Sequence, residues 1–257
     1  MNVLVFDIET IPDIDLGARL YELQGLSEND VAKAMFAKRR AQTGSEFLPH
    51  YMHRVVAISI VLKSKSQFKV WSLGDESSSE EELIRRFFDG IDRFQPTLVS
   101  WNGGGFDLPV LHYRALIHGV DAQRYWDTGD LDREFRWNNY LNRFHARHTD
   151  LMDVLSGYQA RAVAPLNQVA VMLGFPGKLG MSGSAVWPAY LDGRLGDIRD
   201  YCETDVLNTY LVYRRWEVTR GNLDKEGFNA ECDAIREYLA AENKPHFKRF
   251  LEAWASS

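Results

Sequence analysis

The chain has little cysteine, no strong basic excess and no long hydrophobic run. Its two cysteines, Cys202 and Cys232, form no C-x-x-C pair. That excludes a disulfide framework and fits a reducing compartment. No apolar stretch approaches the roughly 20 residues of a membrane helix. The N-terminus enters a strand-like sequence at once, with no basic segment followed by an apolar one. No signal peptide is expected, and a cytoplasmic protein without a membrane partner is the default. Lys and Arg number 30 against 36 Asp and Glu, a formal net charge of −6. Such a balance excludes a basic coat for nucleic acid. It does not exclude an enzyme on nucleic acid, because bound metals and local basic patches set the field at a site. No repeat, low-complexity tract or interdomain linker is visible. A dinucleotide fingerprint is absent too: Gly103 and Gly105 fit its first two positions, but Leu108 occupies the third, and no P-loop lysine follows. What is present is ordinary for a globular protein, with 45% hydrophobic and 26% charged residues over 257 positions. The length suits one large domain or two small ones.

Residues 3–11 hold the sharpest local signal. Val3, Leu4, Val5 and Phe6 give a buried strand, and Asp7 and Glu9 lie two apart within it. Strand side chains alternate faces, so the two acids share one face. Buried side by side, two like charges repel and are costly to desolvate. A divalent cation such as Mg²⁺ or Mn²⁺ would resolve this. Simple outward alternation on a half-exposed strand would also resolve it.

Further along, residues 15–44 read as polar helix with Leu16, Leu20, Leu23 and Leu26 on an apolar stripe. Lys33, Lys38, Arg39 and Arg40 form a solvated face there, or a phosphate-contacting one. Residues 54–63 and 67–73 read as two strands joined by a short polar turn, hence antiparallel. Ser77–Ser79 followed by Glu80, Glu81 and Glu82 start a helix that runs to about Phe94. Residues 97–101 form another buried strand. Gly103–Gly105 then turn the chain into a helix at Asp107, with Leu108, Val110, Leu111 and Leu116 inward. By position alone, Asp107 is an N-cap.

Residues 121–149 show weak periodicity. Arg133, Arg136, Arg143 and Arg147 interleave there with Phe135, Trp137, Tyr140 and Phe144. Such a segment suits nucleic acid, arginines taking phosphates and rings stacking on bases. It equally suits a subdomain or dimer contact. His145, His148, Asp150 and Asp153 match no strong zinc spacing. Helices follow from Asp150 and over 165–173. Residues 177–184 read as a mobile glycine-rich loop carrying Lys178, placed to reach a phosphate or simply solvated. A long helix over about 195–217 puts Tyr201 and Asp205 on one face. Residues 225–254 read as terminal helices parted at Pro245.

Taken in order, Asp7-x-Glu9, Asn102-x-x-x-Phe106-Asp107 and Tyr201-x-x-x-Asp205 resemble the three motifs of the DEDD superfamily of 3′–5′ exonucleases. The tyrosine makes the pattern similar to the DEDDy branch. The histidine position of the DEDDh branch, five residues before the last aspartate, is Asp200 here. The pattern looks most like the free-standing exonucleases related to the proofreading domain of family B DNA polymerases.

The resemblance implies an α/β, ribonuclease H-like fold: a mixed central sheet, antiparallel meander then parallel strands, flanked by helices. It implies an exonuclease domain over 1–215 and a C-terminal helical extension over 216–257. It also implies that Asp7, Glu9, Asp107 and Asp205 hold two divalent cations, Mg²⁺ or Mn²⁺, and that Tyr201 orients the attacking water. An unperturbed tyrosine is a poor base at neutral pH, so positioning is its expected role. Thr10, Ile11 and Asn102 are expected at the substrate, with Lys178, Arg143 and Arg147 as further contacts. The expected partner is a nucleic acid 3′ end, DNA favoured over RNA, with a replication or repair protein as a possible recruiter. The alternatives are an RNA-trimming exonuclease and a non-catalytic binding module of the same fold.

Overall fold

The computed structural model describes residues 2–65 and 67–256. The first half runs β1 (Val3–Pro12), α1 (Ile14–Tyr21), α2 (Glu28–Thr43), β2 (His53–Lys63), β3 (Phe68–Ser72), α3 (Glu80–Phe94), β4 (Thr97–Ser100), α4 (Asp107–His118) and α5 (Gln123–Trp126). The second half runs β5 (His148–Asp150), α6 (Leu151–Leu155), α7 (Leu166–Met172), α8 (Gly183–Leu191), α9 (Leu195–Thr219), α10 (Lys225–Glu242) and α11 (Pro245–Ala255). The strands form one sheet in the order β3-β2-β1-β4-β5. β1, β2 and β3 make an antiparallel meander, and β4 and β5 add in parallel to β1. This is the mixed α/β sheet the motif pattern implied.

Alternation along β1 sorts its side chains between two cores. Leu4, Phe6 and Ile8 pack with Leu83, Phe87, Leu108 and Leu111 of α3 and α4. Val3 and Val5 pack with Val206, Leu207, Tyr210 and Leu211 of α9, backed by Phe228, Leu239, Phe247 and Phe250 of α10 and α11. Asp7 and Glu9 continue the α9 face. Their two-residue spacing is therefore what turns both acids toward the long helix.

β1 also outruns its parallel neighbour. It pairs with β4 only from Val3 to Val5. Beyond that point the backbone of β1 needs another partner. The Ile8 N–H finds one by donating to Asp107 Oδ1 at 3.1 Å. On the other side, the register with β2 shifts between Glu9 and Thr10. A bulge of this kind bends a strand and re-aims its side chains.

Four expectations need correction. Residues 15–44 are two helices. Glu22 takes a left-handed conformation (φ 56°) to end α1, and the Ser27 side chain caps α2 by accepting from the Asp30 N–H. Leu20 and Leu26 are consequently exposed, while Leu16 and Leu23 pack near Val31, Met35 and Met52. In α4, Leu116 is 79% exposed, because Arg114 and Ala115 take the inward places after Val110 and Leu111. The glycine-rich loop ends at α8, whose Val186 and Ala189 pack on Ile11, Ala57 and Ile198. Finally, β5 adds a strand where the sequence suggests none: three residues, two of them ionisable types, carry no strand periodicity.

Candidate active site

Three separate elements deliver the acids to one place. β1 supplies Asp7 and Glu9, the N-terminus of α4 supplies Asp107, and α9 supplies Tyr201 and Asp205. Glu9, Asp107, Tyr201 and Asp205 are all at most 8% exposed. The tightest potential ligand group comprises Asp7, Glu9 and Cys202, whose ligand atoms lie within 4.8 Å of one another. Asp107 and Asp205 fall outside that tightest group, but both raise the proton affinity of Asp7 and Glu9.

In the sequence, Cys202 reads only as an apolar residue of the helix face. In the fold, its thiol hydrogen-bonds the Asp7 carbonyl at 3.4 Å and approaches Asp7 Oδ2 at 3.6 Å. Burial and the neighbouring Asp7 and Glu9 charges hold the thiol well above its usual pKa. It therefore stays protonated, a neutral wall of the site rather than a thiolate.

The electrostatics of the cluster are those of unneutralised carboxylates. Burial, then Asp107, Glu9 and Asp205, push Asp7 well above the ordinary carboxylate range. Burial and Asp205 do the same to Glu9, opposed by Lys178. Burial lifts Asp107 to about 7, against the hydrogen bond from Ile8. Asp205 is lifted by burial to about 6, against Lys178 and the Tyr201 hydroxyl. Asp205 Oδ1 is buried with no hydrogen-bond partner among the described residues. An orphaned carboxylate oxygen amid mutually repelling hard donors fits divalent cations with oxygen preference. Tyr201 is raised by burial and then by Asp205, Glu9 and Asp7, so its hydroxyl keeps its proton.

Lys178 lies beside Tyr201, on a segment whose start is held rather than loose. Its Nζ lies 5.4 Å from the Tyr201 ring centroid. The backbone of Gly177 is hydrogen-bonded to Asn208, and the Lys178 N–H donates to Asn167 Oδ1.

The turn between β4 and α4 is shaped by its glycines. A Cβ on Gly103 would meet Ser100 Oγ at 2.4 Å, and one on Gly105 would meet Asn102 Oδ1 at 2.4 Å. Asn102 itself has φ 63°, and its carbonyl accepts from the Gly105 and Phe106 N–H groups. Asp150 accepts from the Asn102 and Gly104 N–H groups at 2.9 Å each. Phe106 then sits beside Phe47, His50 and His53, with ring centroids 5.1–5.9 Å apart. Thr10 Oγ1 meets His53 Nδ1 at 2.8 Å. Ile11 is buried against α8. Phe47 and the two histidines carry no sequence signal, because nothing in residues 47–53 is periodic.

The basic aromatic segment divides. Phe135 and Tyr140 are buried core residues. Arg147 lies 3.9 Å over the Phe135 ring and donates to the Asn138 carbonyl, so packing engages it. Arg143 remains exposed, in a salt bridge with Asp153. His148 is buried against Ser100 Oγ, and the His145 ring accepts from the Asn139 N–H. His145, His148, Asp150 and Asp153 are thus each engaged elsewhere and form no metal group among the described residues. On α2, Lys33 pairs with Asp30, Arg40 with Glu46, and Lys38 stacks on Tyr21, as on a solvated face.

Residues 45–254 match the model of a family described as a predicted 3′-5′ exonuclease related to the exonuclease domain of PolB. The match takes in Asp107, Lys178, Tyr201 and Asp205 and begins after Asp7 and Glu9. The catalytic subunit of DNA polymerase epsilon from Emericella nidulans is 26% identical over 143 residues, 54% of this chain and 6% of that protein. Its counterpart from Saccharomyces cerevisiae is 25% identical over 145 residues, with the same two shares of 54% and 6%. DNA polymerase 1 of Sulfurisphaera ohwakuensis is 55% identical over 38 residues, 15% of this chain and 4% of that protein. The chain therefore spans a small part of the curated relatives it matches. Among solved structures, the family B DNA polymerase of Pyrobaculum calidifontis is similar at a TM-score of 0.47 and 19% identity, over 82% of this chain and 24% of that one.

Proposed function

Because the chain belongs to the family of predicted 3′-5′ exonucleases related to the exonuclease domain of PolB, we propose that it removes nucleotides from the 3′ end of single-stranded or frayed DNA as 5′-monophosphates. The observation that carries this reading is the acid cluster: four carboxyls from β1, α4 and α9 repel one another around an orphaned Asp205 oxygen. Asp7, Glu9, Asp107 and Asp205 would hold two divalent cations. When bound, these supply a polarised water and offset charge on the phosphate and the departing 3′ oxygen.

The chain's own groups do the rest. Tyr201 keeps its proton, so it positions the attacking water by hydrogen bonding and does not act as the base. The Lys178 ammonium, set near Glu9, Asp205 and the Tyr201 ring, offsets charge on the phosphate oxygens. The rings of Phe106 and Phe47 offer a surface for the terminal base, with Thr10 and Asn102 beside it. Arg143, exposed and paired with Asp153 across the surface, is the arginine placed to track the strand, whereas Arg147 serves the fold. In the reaction a water oxygen bonds to phosphorus, the bond to the 3′ oxygen breaks, and that oxygen leaves as a hydroxyl. We assign the exonuclease unit to residues 1–215 and a helical extension to 216–257. The polymerase relatives make replication or repair the first setting in which to seek a recruiting partner.

Matched DNA and RNA oligonucleotides with Mg²⁺ or Mn²⁺, and EDTA as control, test the assignment. Nucleoside 5′-monophosphates should appear, faster from DNA, and Asp7→Asn should abolish them. Faster release from RNA would make this an RNA-trimming enzyme. Absence of product under every metal would leave a binding module.

A further inference from the structure

Beyond the acids, one buried asparagine stands out. Asn208 lies on α9, three residues past Asp205, and is 1% exposed. Its amide meets both backbone groups of a single residue. Nδ2 donates to the Gly177 carbonyl at 2.8 Å, and Oδ1 accepts from the Gly177 N–H at 3.1 Å. Nδ2 also reaches the Thr204 carbonyl at 3.1 Å, which fixes the amide's orientation against its own helix. A second asparagine completes the grip: Asn167 Oδ1 of α7 accepts from the Lys178 N–H at 2.7 Å. Gly177 has φ 68°, and a Cβ there would meet Asn167 Oδ1 at 2.6 Å. Glycine is required at that point by both conformation and space.

The grip determines where a cation goes. Lys178 is itself exposed, and a lysine stem has several rotatable bonds. Its ammonium nevertheless lies 5.4 Å from the ring centroid of Tyr201, one helical turn before Asp205. We propose that Asn208, assisted by Asn167, is a positioning residue that registers Lys178 to the carboxylate cluster. Because Asn208 and Asp205 share one helix, the lysine's backbone is referenced to the same rigid element as an acid it serves. This inference rests on the exonuclease reading for its catalytic consequence, but the clamp itself is a matter of backbone order.

Two measurements on the full chain separate the two. The first is hydrogen exchange across residues 175–181 without metal or substrate. Asn208→Ala should speed exchange there at least roughly tenfold, Asn167→Ala less so, while α9 stays protected. Unchanged exchange in 175–181 for both variants would overturn the clamp, whether or not the protein cuts DNA. The second is a double-mutant cycle on single-turnover cleavage with Lys178→Met. Asn208→Ala should lower the rate roughly tenfold to a hundredfold, as expected for a displaced cation. Combined with Lys178→Met, it should lower the rate no further than Lys178→Met alone. Multiplying effects would show that Asn208 acts on something other than Lys178 and overturn the proposal. Should Asn208→Ala unfold, Asn167→Ala carries the same cycle with a smaller expected loss. A wild-type chain that cuts nothing would overturn the exonuclease reading and leave the exchange result standing.

Discussion

At the residue scale, Asp205 shows what the site must overcome. Its carboxyl is buried, acts on Asp7 and Glu9, and is lifted to about 6. Asp107 is lifted to about 7, and Asp7 and Glu9 are raised as well. An unfolded aspartate titrates near 3.9. At these acids the folded protein therefore binds more protons than the unfolded chain between these values, and their contribution to stability falls as pH rises. These acids alone should cost metal-free protein roughly 5–10 °C in Tm between about pH 4 and about pH 7, a fall opposed by His53, His112 and His148, whose pKa burial lowers to about 4. Asp205→Asn should shrink that fall, and differential scanning calorimetry would measure both. The same dependence of Tm on pH in Asp205→Asn and wild type would mean that this acid is already neutralised by the protein. Tyr201 makes a second prediction. Tyr201→Phe removes the hydroxyl we propose to orient water, and none of the proposed metal ligands. It should slow cleavage roughly a hundredfold while the metal concentration for half-activity stays constant. The pairing of Asp7 with Glu9 is legible in the sequence, because period two is unambiguous. Cys202 as a wall of the site is not, because a cysteine on an apolar helix stripe looks the same whether it meets leucine or aspartate.

At the scale of elements, α9 is the part to which the others are referenced. It carries Tyr201 and Asp205 on one side. On another it carries Glu203, which accepts from the Ser72 N–H at 2.9 Å, from Lys244 Nζ at 2.9 Å and from His246 Nε2 at 2.8 Å. One buried carboxylate thus ties β3, α9 and α11 together, and its donors hold it below the usual pKa despite burial. Glu203→Ala leaves His246 Nε2 and the Ser72 N–H without their acceptor. Lys244 can turn to water, which discounts the loss. A cost of about 2–3 kcal/mol in urea unfolding is expected. A loss below about 0.5 kcal/mol would show that the network is incidental. The meander, β4 and α9 are legible from alternation and helical spacing. β5 and α8 are not. Three residues are too few for a period, and α8 follows glycines that read as loop. The break between α1 and α2 is visible only as Gly25 and Ser27 within an otherwise helical run.

For the whole molecule, the sheet and the long helix leave one end of β1 unpaired by β4, and the acid cluster forms there. The cluster depends on closure of distant segments: residues 7, 107 and 205 meet only in the finished fold. The proposed extension beyond residue 215 contributes to the same closure. Phe228, Leu239, Phe247 and Phe250 share one core with Val5, Tyr210 and Leu211. A boundary at 215 also falls inside α9. A chain ended at 215 should lose cooperative unfolding, seen as a broad, low-amplitude transition by circular dichroism. A sharp transition near the full-length Tm would make the extension dispensable. The need for that covering is not legible in the sequence, where residues 225–254 show only helices and no sign of what they cover.

The most direct test of the central claim follows a 5′-labelled single strand through time with Mg²⁺ or Mn²⁺. A 3′–5′ exonuclease produces a ladder that shortens one nucleotide at a time from the full-length band. A blocked 3′ end should suppress that ladder, and Asp205→Asn should abolish it. A full-length strand under every metal, or internal fragments that persist when the 3′ end is blocked, would contradict the account.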